Sequence, residues 1–143
     1  MRRRPHRCTI PAVERVRGLG GVFLRARDPA ALARWYAERL GIDVMLEGQS
    51  EAVWWPDAGP TVFAPFPADT DYFGRPDQQV MLNYRVANLD RMLAQLRADG
   101  VEVLDNVEEL PGVGRFGWAV DPEGNRLELW EPEAPSADAA VGE

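Results

Sequence analysis

Glu128 lies in "DPEGNRLELWEP", residues 121–132, between Leu127 and Leu129. At a period of two the leucines share one face of a strand and Arg126, Glu128 and Trp130 the other, so the carboxylate leaves the apolar side. An acid in that position can ligate a metal, orient a bound small molecule, act as a general base if buried without a partner, or simply face water. Few residues can share its chemistry. The chain has a single His and a single Cys, His6 and Cys8, both close to the start of the sequence. No intramolecular disulfide can form, and a metal centre built on imidazoles lacks its ligands. Acids in "ADTDYFGRPD" remain available for a centre made of carboxylates and water, although acids of this kind are commonly just solvated. "VEELPGVGRFG" carries two Gly separated by one residue, but it precedes a strand instead of opening a helix, so a nucleotide-binding reading fails on context. Glu108 and Glu109 in that stretch read as solvated.

The elements that must position Glu128 are legible as a pattern written twice. In "GGVFLRARDPAALARWYAERLGIDV", Val22, Leu24 and Ala26 alternate against Phe23, Arg25 and Arg27, which predicts a strand. Asp28 then offers an N-cap with Pro29 at the first helical position, and Leu32, Trp35, Tyr36 and Leu40 form one stripe before Gly41. "MLNYRVANLDRMLAQLRADGVEV" repeats the sentence: a strand through Tyr84 and Val86, a cap at Asn88, a stripe of Leu89, Met92, Leu93 and Leu96, and a stop at Gly100. The offset is near sixty residues, Gly41 to Gly100 and Arg25 to Arg85. Short strands are expected near 42–47, 51–55 and 61–66 in the first copy and near 101–108, 114–120 and 125–131 in the second, the last two joined by the turn "DPEGN". Each copy reads βαβββ.

The domain plan that follows is a flexible lead-in over 1–17, one domain over 18–132 made of repeats 18–68 and 78–132, and a flexible tail over 133–143. "PFPADTDYFGRPDQQ", residues 65–79, joins the repeats and is too rich in Pro for a helix, with Tyr72 and Phe73 expected to tuck against the body. The fold class is α+β, two tandem βαβββ modules with a helix covering one face of each half-sheet and the opposite faces curving around a cleft.

These residues resemble the vicinal oxygen chelate superfamily, which includes glyoxalase, bleomycin-resistance and extradiol dioxygenase proteins. The resemblance rests on the doubled order, on the openings "GVFLRARDPAALARWY…LG" and "NYRVANLDRMLAQLRADGVEV", and most specifically on "GRFGWAVDPEGNRLELWEP". It implies a U-shaped mixed sheet around a pocket, with metal-dependent members taking ligands from the first and last strand of each half. Glu128 matches such a position; Gly21, Met81 and Phe63, or a neighbour of Phe63, stand at the others. An extradiol dioxygenase, which needs two His beside a carboxylate, is excluded by counting.

If Glu128 faces the pocket, periodicity and the repeat place Phe23, Arg25, Met81, Asn83, Arg85, Arg126 and Trp130 with it. That wall suits binding better than redox chemistry. Arg25 and Arg85 can clamp an anion or pair with Glu128 or with surface acids. Trp54, Trp55, Phe116 and Trp118 read as core or subunit interface. The expected function is therefore binding of a small molecule without a cofactor; the alternative is a glyoxalase-type lyase or isomerase working through Glu128, with or without a divalent ion. An interaction subunit with a vestigial cleft is the blander option.

Bulk composition bounds the partners. A formal charge of −7 opposes binding to a nucleic-acid backbone. No run of about 18 apolar residues offers a membrane span, and "MRRRPHR" lacks the apolar stretch of a signal peptide. A cytoplasmic homodimer with a small-molecule ligand is the expectation.

Overall fold

The computed structural model describes residues 14–44 and 53–134. The lead-in up to residue 13, the tail from residue 135, residues 45–47 of the strand expected near 42–47 and residues 51–52 of the strand expected near 51–55 lie outside the described residues. The chain divides into two compact units, residues 26–133 and a second formed by 1–25 with 134–143.

The larger unit carries every helix and strand among the described residues. Its elements are α1 (Pro29–Leu40), β1 (Leu82–Arg85), α2 (Leu89–Ala98), β2 (Glu102–Val103), β3 (Glu108–Leu110), β4 (Gly114–Val120) and β5 (Arg126–Pro132). The mixed sheet has the order β1-β5-β4-β2, with β3 also on β4; β1 and β5 are parallel, and β4 runs antiparallel to its neighbours. From β1 onward this is β-α-β-β-β, because β2 and β3 are two pieces of one edge strand. The ladder pairs Glu102 with Val120 and Val103 with Ala119, then resumes with Glu108 opposite Phe116, where strict pairing would have placed residue 106. The strand expected over 101–108 is thus interrupted by a bulge, which bends the edge and ends its pairing locally.

Both helices form where their caps predict. The Asp28 carboxylate accepts from the Ala31 amide at 3.1 Å, Pro29 opens the helix, and Gly41 closes it in the left-handed region at φ 69°. Asn88 accepts from the Arg91 amide at 3.0 Å, and the Glu131 carboxylate takes the Leu89 amide, another N–H at the start of α2 without a partner in the helix. Leu32 and Tyr36 of α1 join Leu89, Leu93 and Leu96 of α2 against Ala119, Leu127 and Leu129 of the sheet. Gly117 admits α2 to this face, since a Cβ there would stand 2.9 Å from a Leu93 methyl.

"DPEGN" does structural work. Buried Asp121 accepts from the amides of Glu123 (2.8 Å) and Asn125 (3.0 Å), from Asn125 Nδ2 (2.8 Å) and from the Tyr36 hydroxyl of α1 (2.7 Å). The Glu123 carboxylate takes the Arg27 and Asp28 amides at 2.9 and 3.0 Å, holding the entry to α1. The motif therefore ties the last hairpin to α1.

The strands expected for the first repeat are not formed among the described residues: 21–27 is without strand pairing, and so are 53–55 and 61–66. Alternation gives a segment the capacity to be a strand, but a strand exists only through a partner's hydrogen-bond ladder. Among the described residues the segments find none, and their large side chains stay out: Phe23 is 97% exposed, Trp55 85% and Phe63 88%. Among the described residues no helix is long and apolar enough to cross a membrane.

Candidate site around Glu128

The face of the sheet away from the helices carries Glu128 as the centre of a row. Asn83 of β1 and Trp118 of β4 are its register partners on either side, so three strands deliver three side chains to one point. Asn83 Nδ2 donates to Oε1 at 2.6 Å and Trp118 Nε1 donates to Oε2 at 2.9 Å. The Tyr72 hydroxyl also donates to Oε2, from the segment that joins the repeats. Glu128 is 7% exposed, and the groups that hold it are neutral. Burial, then the hydrogen bond to Glu128, pushes the Tyr72 phenol well above its ordinary value, so this hydroxyl stays protonated and remains a donor.

Aromatic rings flank the carboxylate. Tyr72 meets Trp118 edge-on with ring centres 5.9 Å apart, and Phe66 stacks on Tyr72 at 5.5 Å and tilts against Phe73 at 5.2 Å. The joining segment is pinned beside the end of β5. Gln78 exchanges two hydrogen bonds with the Arg126 main chain, both 2.8 Å, in the manner of an added strand. Arg126 Nη1 holds the Tyr72 carbonyl at 3.1 Å, while its Nε is buried and meets no acceptor among the described residues. Arg75 reaches the Glu123 carbonyl at 3.0 Å.

Asn83 and Glu128 meet through their hydrogen bond. Arg85 and Trp130 share their face one rung along, facing each other in register, but both are committed elsewhere. Arg85 donates to the Asp57 carbonyl at 2.7 Å, not to Glu128, over a Gly59 where a Cβ would fall 1.9 Å from the guanidinium. Trp130 stacks on Phe116 with the ring planes 4° apart and donates to the Val113 carbonyl at 3.1 Å, as a packing residue does. Met81 immediately precedes β1 and is half-buried. Phe23 and Arg25 belong to the other unit and are exposed there, outside any strand, so the strand placement expected for them does not hold. Trp118 and Tyr72 were not expected at the site. Counting outward from "DPEGN" pairs Val120 with Arg126 and brings Trp118 opposite Glu128, which is the signal that finds the first. No spacing finds Tyr72.

A profile of the Glyoxalase-like domain matches residues 12–130. The chain belongs to the vicinal oxygen chelate superfamily. A solved glyoxylase/bleomycin resistance protein/dioxygenase domain from Frankia sp. superposes with a TM-score of 0.55 at 22% identity, covering 83% of this chain and 100% of that one, which speaks for the fold. An antibiotic binding protein from Streptomyces sp. gives a TM-score of 0.49 at 25% identity, covering 74% of this chain and 88% of its own. A superfamily member from Sphaerobacter thermophilus gives 0.49 at 19%, covering 74% and 90%. No curated protein matches.

Superfamily membership raises the question of a metal, and the residues around Glu128 do not fit one. Both lone-pair directions of Oε2 are committed to Trp118 and Tyr72, which leaves one on Oε1. Divalent centres of this family's type need three or more N or O ligands. Met81 offers a thioether and Phe63 nothing, and among the described residues no group of three His, Cys, Asp or Glu converges.

Proposed function

We propose that this superfamily member binds a small molecule without a resident metal, with Glu128 as its polar anchor. The observation that supports the reading is the setting of that carboxylate: drawn out of water, oriented by Asn83, Trp118 and Tyr72, and flanked by aromatic rings. Apolar walls with a few convergent polar groups are what recognition sites use. Oε2 is engaged by two donors, which makes Glu128 a poor general base and disfavours the lyase or isomerase alternative.

A thermal-shift screen of aromatic, keto-acid and amine compounds is expected to give hits, because a ligand that binds only the native state raises its apparent stability. Glu128→Ala should abolish them. Metal analysis of protein purified without chelators should find no stoichiometric ion; a stoichiometric ion that disappears in Glu128→Ala overturns the reading in favour of the enzyme.

The same proposal makes the protein a cytoplasmic homodimer in which residues 18–68 complete their βαβββ repeat and the two repeats enclose the cleft. Its support is the exposure of Phe23, Trp55, Phe63 and other large apolar side chains in the first repeat, together with a β1 whose outer edge is unpaired among the described residues. Sedimentation equilibrium at micromolar concentration should return twice the 16.0 kDa chain mass. Phe63→Asp should shift the population toward monomer. A monodisperse wild-type monomer defeats the homodimer.

A further inference from the structure

We infer that the ligand presents an organic cation to Glu128: a protonated amine or amidine on an apolar or aromatic body. The inference rests on the small-molecule reading above and names the class of ligand. Its basis is an imbalance of charge. Among the described residues Glu128 is a buried carboxylate held by neutral donors, and it takes part in none of the ion pairs, which join Arg27 to Glu123, Arg39 to Asp99, Arg75 to Asp77 and Arg115 to Asp90. Neither arginine on its own face pairs with it: Arg85 donates to the Asp57 carbonyl and Arg126 to the Tyr72 carbonyl. A carboxylate taken from water without a counter-ion favours any cation that can reach it.

The acceptors still open match an ammonium better than a metal. Oε1 keeps one lone pair beyond its bond to Asn83, and the Asn83 carbonyl oxygen accepts no hydrogen bond among the described residues. Asn83 is exposed, so its carbonyl oxygen marks the accessible end of the row. One or two acceptors satisfy N–H donors but fall short of a divalent ion's shell. Tyr72 donates to the other oxygen of the same carboxylate and Phe66 stacks on Tyr72, and aromatic faces attract organic cations through the ring quadrupole. The chain's formal charge of −7 draws cations toward it from a distance.

The test uses three probes of one shape on the full chain by titration calorimetry: 2-naphthylmethylammonium, the neutral 2-naphthylmethanol, and 2-naphthoate. The ammonium should bind on the order of tenfold or more tightly than the alcohol, and the carboxylate should bind weakest. In Glu128→Gln the ratio of ammonium to alcohol affinity should collapse toward one. In Asn83→Leu, an exposed change that keeps Glu128, the ratio should fall without vanishing. Alcohol binding with no preference for the ammonium overturns the cation inference and leaves small-molecule binding standing. Tighter binding of the carboxylate overturns it as well, as does a preference that survives Glu128→Gln. If none of the probes binds, the inference falls, and the broader reading is decided separately by the screen.

Discussion

Asp121→Ala should lower the unfolding free energy by about 3–5 kcal/mol, seen as a fall in the denaturant midpoint without a large change in slope. The carboxylate is 4% exposed and accepts four hydrogen bonds from three places: the Tyr36 hydroxyl on α1, the Glu123 and Asn125 amides of the turn, and the Asn125 side chain. Removing it leaves the buried Tyr36 hydroxyl and three part-buried turn donors without their acceptor, and each buried donor left without a partner costs about 1–3 kcal/mol. It also unfastens the last hairpin from α1. Tyr36→Phe removes only one of these bonds and should cost about 1–2 kcal/mol. The double variant should fall short of the sum of the singles, because both cut the same link. If Asp121→Ala unfolds within about 0.5 kcal/mol of wild type, the turn is not the fastener inferred here.

The same motif explains how much of the molecule was legible. What depends on residues close in sequence came through: the caps at Asp28 and Asn88, the left-handed Gly41, the final hairpin, and the division of β5 into Leu127 and Leu129 on the core face against Glu128 on the other. Asn83 stands beside Glu128 because their strands pair in register. Trp118 was within reach, needing only a count of rungs from the turn. Tyr72 was not, because it approaches Glu128 across 56 residues on a segment with no period. Arg85 shows a different limit: its charge suggested a clamp, yet a backbone carbonyl beside a side-chain-free Gly59 claimed the guanidinium. The first repeat shows a third. Alternation around Phe23 and Phe63 marks segments able to pair, but pairing is a property of two segments, and the alternation of one says nothing of where the other is.

The phenols carry the other large expected effect, a steep loss of stability in alkali. The chain has three tyrosines, and each is shifted upward. Burial followed by the hydrogen bond to Asp121 holds Tyr36 far above its ordinary value, while burial and the nearby Asp121 charge push Tyr84 up to about 12. Unfolded phenols titrate near 10. Above that pH the unfolded chain gives up protons that the folded chain keeps, so stability is complete below pH ~10 and drains as the pH climbs toward the folded values. Each retained proton costs about 1.4 kcal/mol per pH unit; Tyr36 and Tyr84 together remove roughly 4 kcal/mol between pH 10 and 12, a large part of the stability of a small domain. Tyr72, less buried, adds a smaller share in the same direction. Phenolate absorbance followed alongside far-ultraviolet circular dichroism should therefore stay silent past pH 10 and then rise together with the loss of structure. Tyr84→Phe should move that transition to higher pH by deleting its part of the slope. Phenolate appearing with a midpoint near 10 while the dichroism remains native would mean these hydroxyls face water, and with them the packing of α1 against Asp121 and of Tyr72 against Glu128 would have to be redrawn.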